Sequence, residues 1–116
     1  MKITLPLPDS RLHAHAKGHW RGKASATKAL RQRAWAESMA AGVEPMERGR
    51  LSIHIRYPTR HRRDALNTVH GLKPAIDGLV DSGCLPDDDW QHLTIGEITA
   101  ELDRDDPGVD LILERI

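Results

Sequence analysis

Residues 50–57 constrain the fold of this chain more than any other stretch, because their side chains alternate strictly between apolar and polar. The apolar set comprises Leu51, Ile53, Ile55 and Tyr57. Strict alternation over this length is the pattern of a β-strand with one buried face. A sheet that is buried on one face needs a second layer of structure to cover it. The rest of the chain is expected to supply that layer.

Two segments have the composition or spacing of helices. The first, residues 25–41, is rich in Ala, Leu, Gln, Arg and Met, has Ser25 or Thr27 available as its N-cap, and is followed by Gly42. Its predicted buried stripe consists of Leu30, Ala34 and Met39, with Trp35 beside it.

The second predicted helix spans residues 66–82 and stops before Gly83, a residue type that is favoured after a helix C-terminus. Its apolar residues recur at helical spacing and are Leu72, Ile76, Leu79 and Val80. Pro74 lacks the amide hydrogen that a helix interior needs. We therefore expect a kink there, or a helix that properly begins near Lys73.

Three further segments have strand patterns. Residues 2–7 alternate like a short strand that Pro6 and Pro8 end. Residues 93–102 and 109–116 flank the turn-forming residues 103–108. The predicted order is β-α-β-α-β-β. This order indicates a single α+β domain over residues 1–116, with a mixed sheet and two helices packed on one face.

The charges are distributed unequally, although the formal net charge is zero. Residues 1–63 contain 14 basic and 4 acidic side chains, whereas residues 64–116 contain 3 and 13. Such asymmetry between halves is typical of a nucleic-acid-binding protein or of an acidic tail, and the apolar periodicity of the acidic half argues against a tail. Mutual neutralisation of the two halves is the alternative.

The remaining composition narrows the class of protein. Cys84 is the only cysteine, so neither a disulfide framework nor a thiolate metal cluster is expected. We see no secretory signal and no apolar run long enough to span a membrane, which predicts a soluble cytoplasmic protein. Phe is absent, and a core so poor in aromatic residues leads us to expect a partner chain.

Carboxylates are concentrated at two points of the stretch from residue 60 to residue 89. Asp64 follows a basic run, and three consecutive aspartates, Asp87, Asp88 and Asp89, follow a Gly-Cys-Leu-Pro turn. Mg²⁺ prefers oxygen ligands and often takes only one or two protein carboxylates, so these residues are candidate ligands. Alternatively, Asp64 favours a helix start through the helix dipole, and the three aspartates form a solvated acidic turn.

Lys73 and Asp77 share a face of the second predicted helix, because they are four residues apart. An exposed ion pair explains this spacing. The functional alternative places the Lys73 ammonium on a scissile phosphate, where it offsets the negative charge that develops during cleavage.

Basic residues occur on both sides of the acidic centre. Runs of this kind often contact phosphates; here they comprise Arg11, Lys17, Arg21, Lys23, Arg60, Arg62 and Arg63. The first four lie in residues 9–24, predicted to be a long basic loop.

Trp20 and Trp90 are expected to pack half-buried rather than to stack on bases. A zinc site at His13, His15 and His19 is disfavoured, since no cysteine pair accompanies them.

The order of these motifs resembles the RusA family of Holliday junction resolvases. The shared pattern is R-R-D-x-x-N, then a helix with K-x-x-x-D-G-L, then G-x-x-x-D-D-D, and the opening ITLPLPDSR is similar to the family's first strand and loop. The resemblance implies a RusA-like homodimer that nicks four-way or branched DNA with Mg²⁺ or Mn²⁺. It assigns catalysis to Asp64, Lys73 and Asp88, and metal binding to Asp64, Asp87 and Asp88.

One position departs from the family pattern: Leu66 stands where the family has its second aspartate. Asn67, Asp77 and Asp89 are oxygen-bearing residues that can replace the missing ligand. Three hypotheses follow. They are an active metal-dependent endonuclease, a junction-binding protein that has lost activity through Leu66, and a small interaction module whose charged halves complement one another.

Overall fold

The structure is a computed structural model that describes residues 1–13, 18 and 20–116. Seven regular elements, besides a short 3-10 helix at Ser10–Leu12, make up the described chain. They are β1 (Lys2–Leu5), α1 (Trp20–Ala41), β2 (Gly49–Tyr57), α2 (Ala65–Gly71), α3 (Lys73–Asp81), β3 (Leu93–Leu102) and β4 (Gly108–Arg115). The predicted α+β class and its strand segments are confirmed.

The four strands form one mixed sheet in the order β1-β4-β2-β3. β4 runs antiparallel to both of its neighbours, whereas β2 and β3 are parallel. The alternating residues of β2 behave as predicted, since Leu51, Ile53 and Ile55 are buried. The mixed sheet expected from the sequence is therefore confirmed.

The helices cover the sheet unevenly. α1 packs against α3 and β1, and the buried side chains of β1, β2 and β4 join those of the helices in one core. The edge strand β3 keeps Ile95, Ile98 and Leu102 exposed, although they are in register with the buried side of β2 or with Tyr57 at its end. β3 thus completes the sheet without contributing a buried face of its own.

The first helix differs from the prediction at its start. α1 begins at Trp20 rather than at Ser25, so neither Ser25 nor Thr27 is its N-cap, and part of the predicted basic loop is helical. The tryptophans are also more exposed than predicted: Trp20 is 68% and Trp90 82% exposed, so half-buried packing was wrong for both.

The buried stripe of α1 is shifted by one residue near its C-terminus. Ala26, Leu30, Ala34 and Ser38 are buried, whereas Met39 is exposed. Ser38 tolerates burial because its hydroxyl donates a hydrogen bond to the Ala34 carbonyl at 2.7 Å. The prediction that Met39 faces the core was wrong.

The second predicted helix is two helices that meet at Leu72. α3 begins at Lys73 with Pro74 in its first turn, where the missing proline amide costs no helical hydrogen bond. This arrangement confirms the helix start near Lys73. α3 ends before Gly83, whose positive φ of 90° explains the glycine there.

Candidate nucleic-acid and metal site

Lys73 lies at the centre of the candidate site. Its ammonium donates to Asp77 Oδ1 at 2.8 Å and also to Asp88 Oδ2. Asp77 is one turn further along α3, whereas Asp88 comes from the segment that follows the helix. The structure therefore joins two predicted metal ligands around one predicted catalytic residue.

The segment after α3 reaches Lys73 because buried residues anchor its return. The Cys84 thiol donates to the Leu79 carbonyl at 3.0 Å, and Leu85 is buried in the core. Gly83 permits the change of direction that begins this return. The Gly-Cys-Leu-Pro sequence thus acts as a fold-back that delivers Asp88 to the start of α3.

The two charges of the Lys73–Asp88 pair stabilise one another. Burial alone would lower the pKa of Lys73, but its hydrogen bonds to Asp77 and Asp88 raise it above the ordinary value. The hydrogen bond from Lys73 in turn lowers the pKa of Asp88, against the effect of burial. Near neutral pH the ammonium and the carboxylate are both ionised.

Asp64 serves as the N-cap of α2. Its Oδ1 accepts a hydrogen bond from the Leu66 amide at 2.9 Å, the helix-start role that the sequence left open. Asp64 and Asn67 line a cavity of about 390 Å³, together with Tyr57, Arg62 and Arg63. Across residues 1–13, 18 and 20–116, no three His, Cys, Asp or Glu side chains form a metal-binding group, so Asp64 does not join Asp77 and Asp88 in one.

The other two aspartates of the triplet make local backbone contacts. Asp87 Oδ1 accepts from the Asp88 amide at 2.7 Å, and Asp89 Oδ1 accepts from the Gln91 amide at 3.2 Å. Asp87 therefore sits directly beside the Lys73 cluster in the chain. Asp89 instead shapes the turn that leads into β3.

The carboxylates beside Lys73 have the oxygen donors that Mg²⁺ prefers. Asp77 and Asp88 come from separate segments, and both pair with the Lys73 ammonium. One or two protein carboxylates suffice for Mg²⁺ when water and phosphate complete its coordination. Asp77 and Asp88 would hold the ion, with Asp87 adjacent. Asp64 lies outside this donor set.

The predicted basic residues divide into paired and unpaired groups. Arg63 packs over the Tyr57 ring, 4.8 Å from its centroid, and donates to the Thr59 carbonyl. Arg60 and Arg62 are exposed, and the described residues place no carboxylate within ion-pair distance of either. They remain available to phosphates.

Arg11, unlike Arg60 and Arg62, forms an ion pair with a neighbouring carboxylate. Two guanidinium nitrogens donate to Asp9 at 2.9 and 2.7 Å, and these bonds lower the pKa of Asp9 to about 2. Arg21 and Lys23, predicted in a loop, lie in the first turns of α1. Lys17, like His15 and His19, falls outside the described residues.

Sequence reasoning missed the charged contacts between the halves of the chain. Arg56 on β2 donates to Asp110 of β4 at 2.5 Å, and both side chains are largely buried. With the Arg31–Asp81 pair, it shows that part of the charge asymmetry is neutralised internally. The signal was present in Asp110, a carboxylate between the apolar residues Val109 and Leu111 of a predicted strand.

Comparison with known proteins adds little about function. No known family model matches the chain. A protein of Xylella fastidiosa (strain Temecula1 / ATCC 700964), described only as uncharacterized, is 34% identical over 87 residues, in a match that covers 69% of this chain. The chain spans about half the length of that curated relative, since the match covers 56% of it.

The helices were also compared with the requirements of a membrane span. Within the described part of the chain, no helix combines the length and apolar character that a membrane span requires.

Proposed function

We propose that this chain is a metal-dependent endodeoxyribonuclease that resolves Holliday junctions and other branched DNA. The observation that carries the proposal is the convergence of Asp77 and Asp88 on the Lys73 ammonium. A cation that can bind phosphate thereby adjoins two carboxylates that can bind Mg²⁺. The RusA-like order of motifs in the sequence supports the same reaction.

Each residue has a role in the proposed reaction. Asp77 and Asp88 would hold the ion, and bound Mg²⁺, or Mn²⁺ in its place, would polarise the scissile phosphate and lower the pKa of an attacking water. Lys73 would bind a non-bridging phosphate oxygen and offset the charge that develops on it. Arg60 and Arg62 would hold the phosphates of the DNA arms, independently of sequence.

A homodimer suits this substrate. A four-way junction is resolved by two nicks related by two-fold symmetry, and a symmetric dimer presents two identical sites in that relation. The exposed apolar residues of the edge strand β3 are consistent with a partner chain, since a single copy leaves Ile95, Ile98 and Leu102 uncovered.

A second candidate is a protein that binds junctions without cutting them. Two observations favour it: Asp64 serves as a helix cap apart from the Lys73 cluster, and Leu66, at the position of the missing aspartate, is 69% exposed. Binding requires only the basic residues. Cleavage requires a complete metal site as well.

Cleavage of a synthetic four-way junction tests the proposal, with a linear duplex as the control substrate. We expect paired nicks on the junction in Mg²⁺ or Mn²⁺, none in EDTA, and none with Asp88→Asn, which removes a ligand charge at nearly constant size. Salt-sensitive junction binding without nicks would favour the second candidate. Neither binding nor nicking would favour the interaction module, whose charged halves only neutralise each other.

Leu66→Asp separates the first two candidates further, with Leu66→Asn as the matched control. The exposed position accepts a polar side chain without loss of core packing. If the missing carboxylate is what prevents cleavage, Leu66→Asp gains nicking activity and Leu66→Asn does not. If the wild-type protein already cuts, neither variant is expected to change the products.

A further inference from the structure

One cavity, between the N-terminal segment and the start of α2, has no assigned ligand. Its volume is about 390 Å³, and its lining comes from two parts of the chain, residues 7–13 and 57–68. We call it the α2 cavity. A volume of this size lies at the lower end of the range for small-molecule sites, about 300–1,000 Å³. The α2 cavity therefore suits one small ligand rather than a folded partner.

The walls of the α2 cavity are held by contacts that do not depend on a ligand. A hydrogen bond of 2.7 Å joins the hydroxyls of Tyr57 and Thr68 and ties the end of β2 to α2. Gly71 lets the buried Pro8 approach α2, because a β-carbon at Gly71 would lie 3.2 Å from that proline. The Arg63 guanidinium covers the Tyr57 ring. The cavity is thus preformed, and Tyr57 contributes to its wall without offering that face for stacking.

Two polar side chains in the lining keep their hydrogen-bonding capacity. The Asn67 amide is half-buried and the Arg62 guanidinium is exposed, and neither has a side-chain partner among the residues that the structure describes. An amide offers a donor and an acceptor side by side, which is the pattern that pairs with the edge of a nucleobase. A guanidinium binds phosphate oxygens through charge-assisted hydrogen bonds. The two groups therefore match the two ends of a nucleotide.

The remaining lining agrees with a ligand of this kind. Leu7 and Pro8 give the α2 cavity an apolar surface against which a planar base can pack. Among the charged lining residues that the structure describes, two arginines outnumber a single aspartate, Asp64. The positive balance favours an anion. An inorganic anion alone would leave the Asn67 amide and the apolar surface unused.

We propose that the α2 cavity binds a single nucleotide, with its phosphate on Arg62 and the edge of its base on Asn67. The assignment of that nucleotide to DNA rests on the proposed function. Bases at a branch point are unpaired or easily unpaired, and such bases cost the least to turn out of the stack. A free nucleotide presents the same chemistry, so the experiment includes both sources.

The chain carries its own reporter for this cavity, because its single tyrosine is Tyr57. The full chain is isotopically labelled only in its tyrosine ring and observed by NMR. It is titrated with each deoxynucleoside monophosphate in EDTA, which excludes phosphate binding through a metal ion. We expect saturable shifts of the Tyr57 signals. Deoxyribose phosphate, which lacks the base, should bind about tenfold more weakly, because it loses the hydrogen bonds to Asn67.

Two DNA duplexes distinguish the sources of the nucleotide. One duplex contains a single unpaired nucleotide, and the other is fully paired. We expect only the first to shift the Tyr57 signals. A response to free nucleotides but to neither duplex would support the nucleotide site and overturn its use for DNA. Equal responses to both duplexes would overturn the binding of an unpaired nucleotide.

Variants locate the contacts. Asn67→Leu keeps the size of the side chain but removes the amide, and it should weaken nucleotide binding by about two- to tenfold. Arg62→Gln should weaken it by about tenfold, since a charge-assisted hydrogen bond to the phosphate is lost. Arg104→Gln is the matched control, because Arg104 is another exposed arginine that does not line the cavity. It should leave the affinity unchanged. Circular dichroism verifies that each variant is folded.

Three outcomes would overturn the inference. They are Tyr57 signals that no nucleotide shifts, inorganic phosphate or deoxyribose phosphate binding as tightly as the nucleotides, and affinities unchanged by both Asn67→Leu and Arg62→Gln. Failure of the proposed function has a different signature. Nucleotide binding without junction nicking would remove the nuclease and leave the nucleotide site. Nicking without any Tyr57 response would remove the nucleotide site and leave the nuclease.

Discussion

Gly78 determines how closely α3 approaches α1, and its replacement by alanine should be costly. A β-carbon at this position would lie 2.4 Å from the Arg31 carbonyl oxygen and 2.9 Å from the Ala34 β-carbon. Backbone and a short buried side chain cannot swing aside, so the helices must separate. Overpacking of this kind costs about 1–3 kcal/mol, whereas Gly→Ala within a helix otherwise gains about 0.5–1 kcal/mol. We expect Gly78→Ala to lower the free energy of unfolding by about 1–2 kcal/mol.

Urea denaturation followed by far-ultraviolet circular dichroism measures this change. Gly22→Ala is the matched control, because its β-carbon would meet mainly the flexible end of the Arg11 side chain at 3.0 Å. That variant should be neutral or slightly more stable than the wild type. If Gly78→Ala proved as stable as Gly22→Ala, the close packing of α1 on α3 would be refuted.

Three further predictions concern charged groups. Arg56→Met leaves the Asp110 carboxylate buried without its partner and should cost about 3–5 kcal/mol in urea denaturation. Burial alone would raise the pKa of Asp110, but Arg56 and Thr4 lower it overall. The ionised Asp110 carboxylate therefore contributes its full stabilisation above its unfolded-state pKa, and this stabilisation is lost as the pH falls through the lower folded-state pKa. Asp110→Asn should remove this part of the acid dependence of unfolding. Lys73→Gln removes the main cause of the low Asp88 pKa, so carboxyl NMR titration should show that pKa rising.

Most of the fold could be predicted because its patterns are local. The alternation of residues 50–57 identifies one strand without reference to the rest of the chain, and residues 93–102 also look like a strand. Gly42 and Gly83 mark helix ends, and both have positive φ in the structure. Pro74 likewise predicts the break that separates α2 from α3.

The misplaced features depend on tertiary contacts. Ser38 rather than Met39 faces the core of the protein, because the buried stripe of α1 follows its packing against α3, and the hydroxyl finds a partner within its own helix. The start of α1 at Trp20 also escaped prediction, since no N-cap pattern precedes it. The parallel pairing of β2 with β3, which leaves β3 at an edge, is a matter of sheet order that residue patterns do not specify.

In the candidate site, too, the local contact could be predicted and the tertiary contact could not. The Lys73–Asp77 contact follows from helical spacing and was predictable as an ion pair. The approach of Asp88 depends on Cys84 and Leu85 anchoring the fold-back, so residue order alone indicates only that it can occur. Asp64 could join the Lys73 cluster only if α2 and α3 were placed suitably relative to one another. The sequences of the two helices do not determine that placement.

Asp64 has two competing roles, and two substitutions distinguish them. Asparagine is as good an N-cap as aspartate, whereas alanine at an N-cap costs about 0.5–2 kcal/mol. If Asp64 only caps α2, Asp64→Asn should keep both the stability and the metal-dependent nicking of a junction, and Asp64→Ala should lose stability. If Asp64 also binds the ion, Asp64→Asn should abolish nicking while urea denaturation stays unchanged. The latter result would contradict a metal site held by Asp77 and Asp88 without Asp64, and would require the start of α2 to approach the Lys73 cluster when DNA and metal bind.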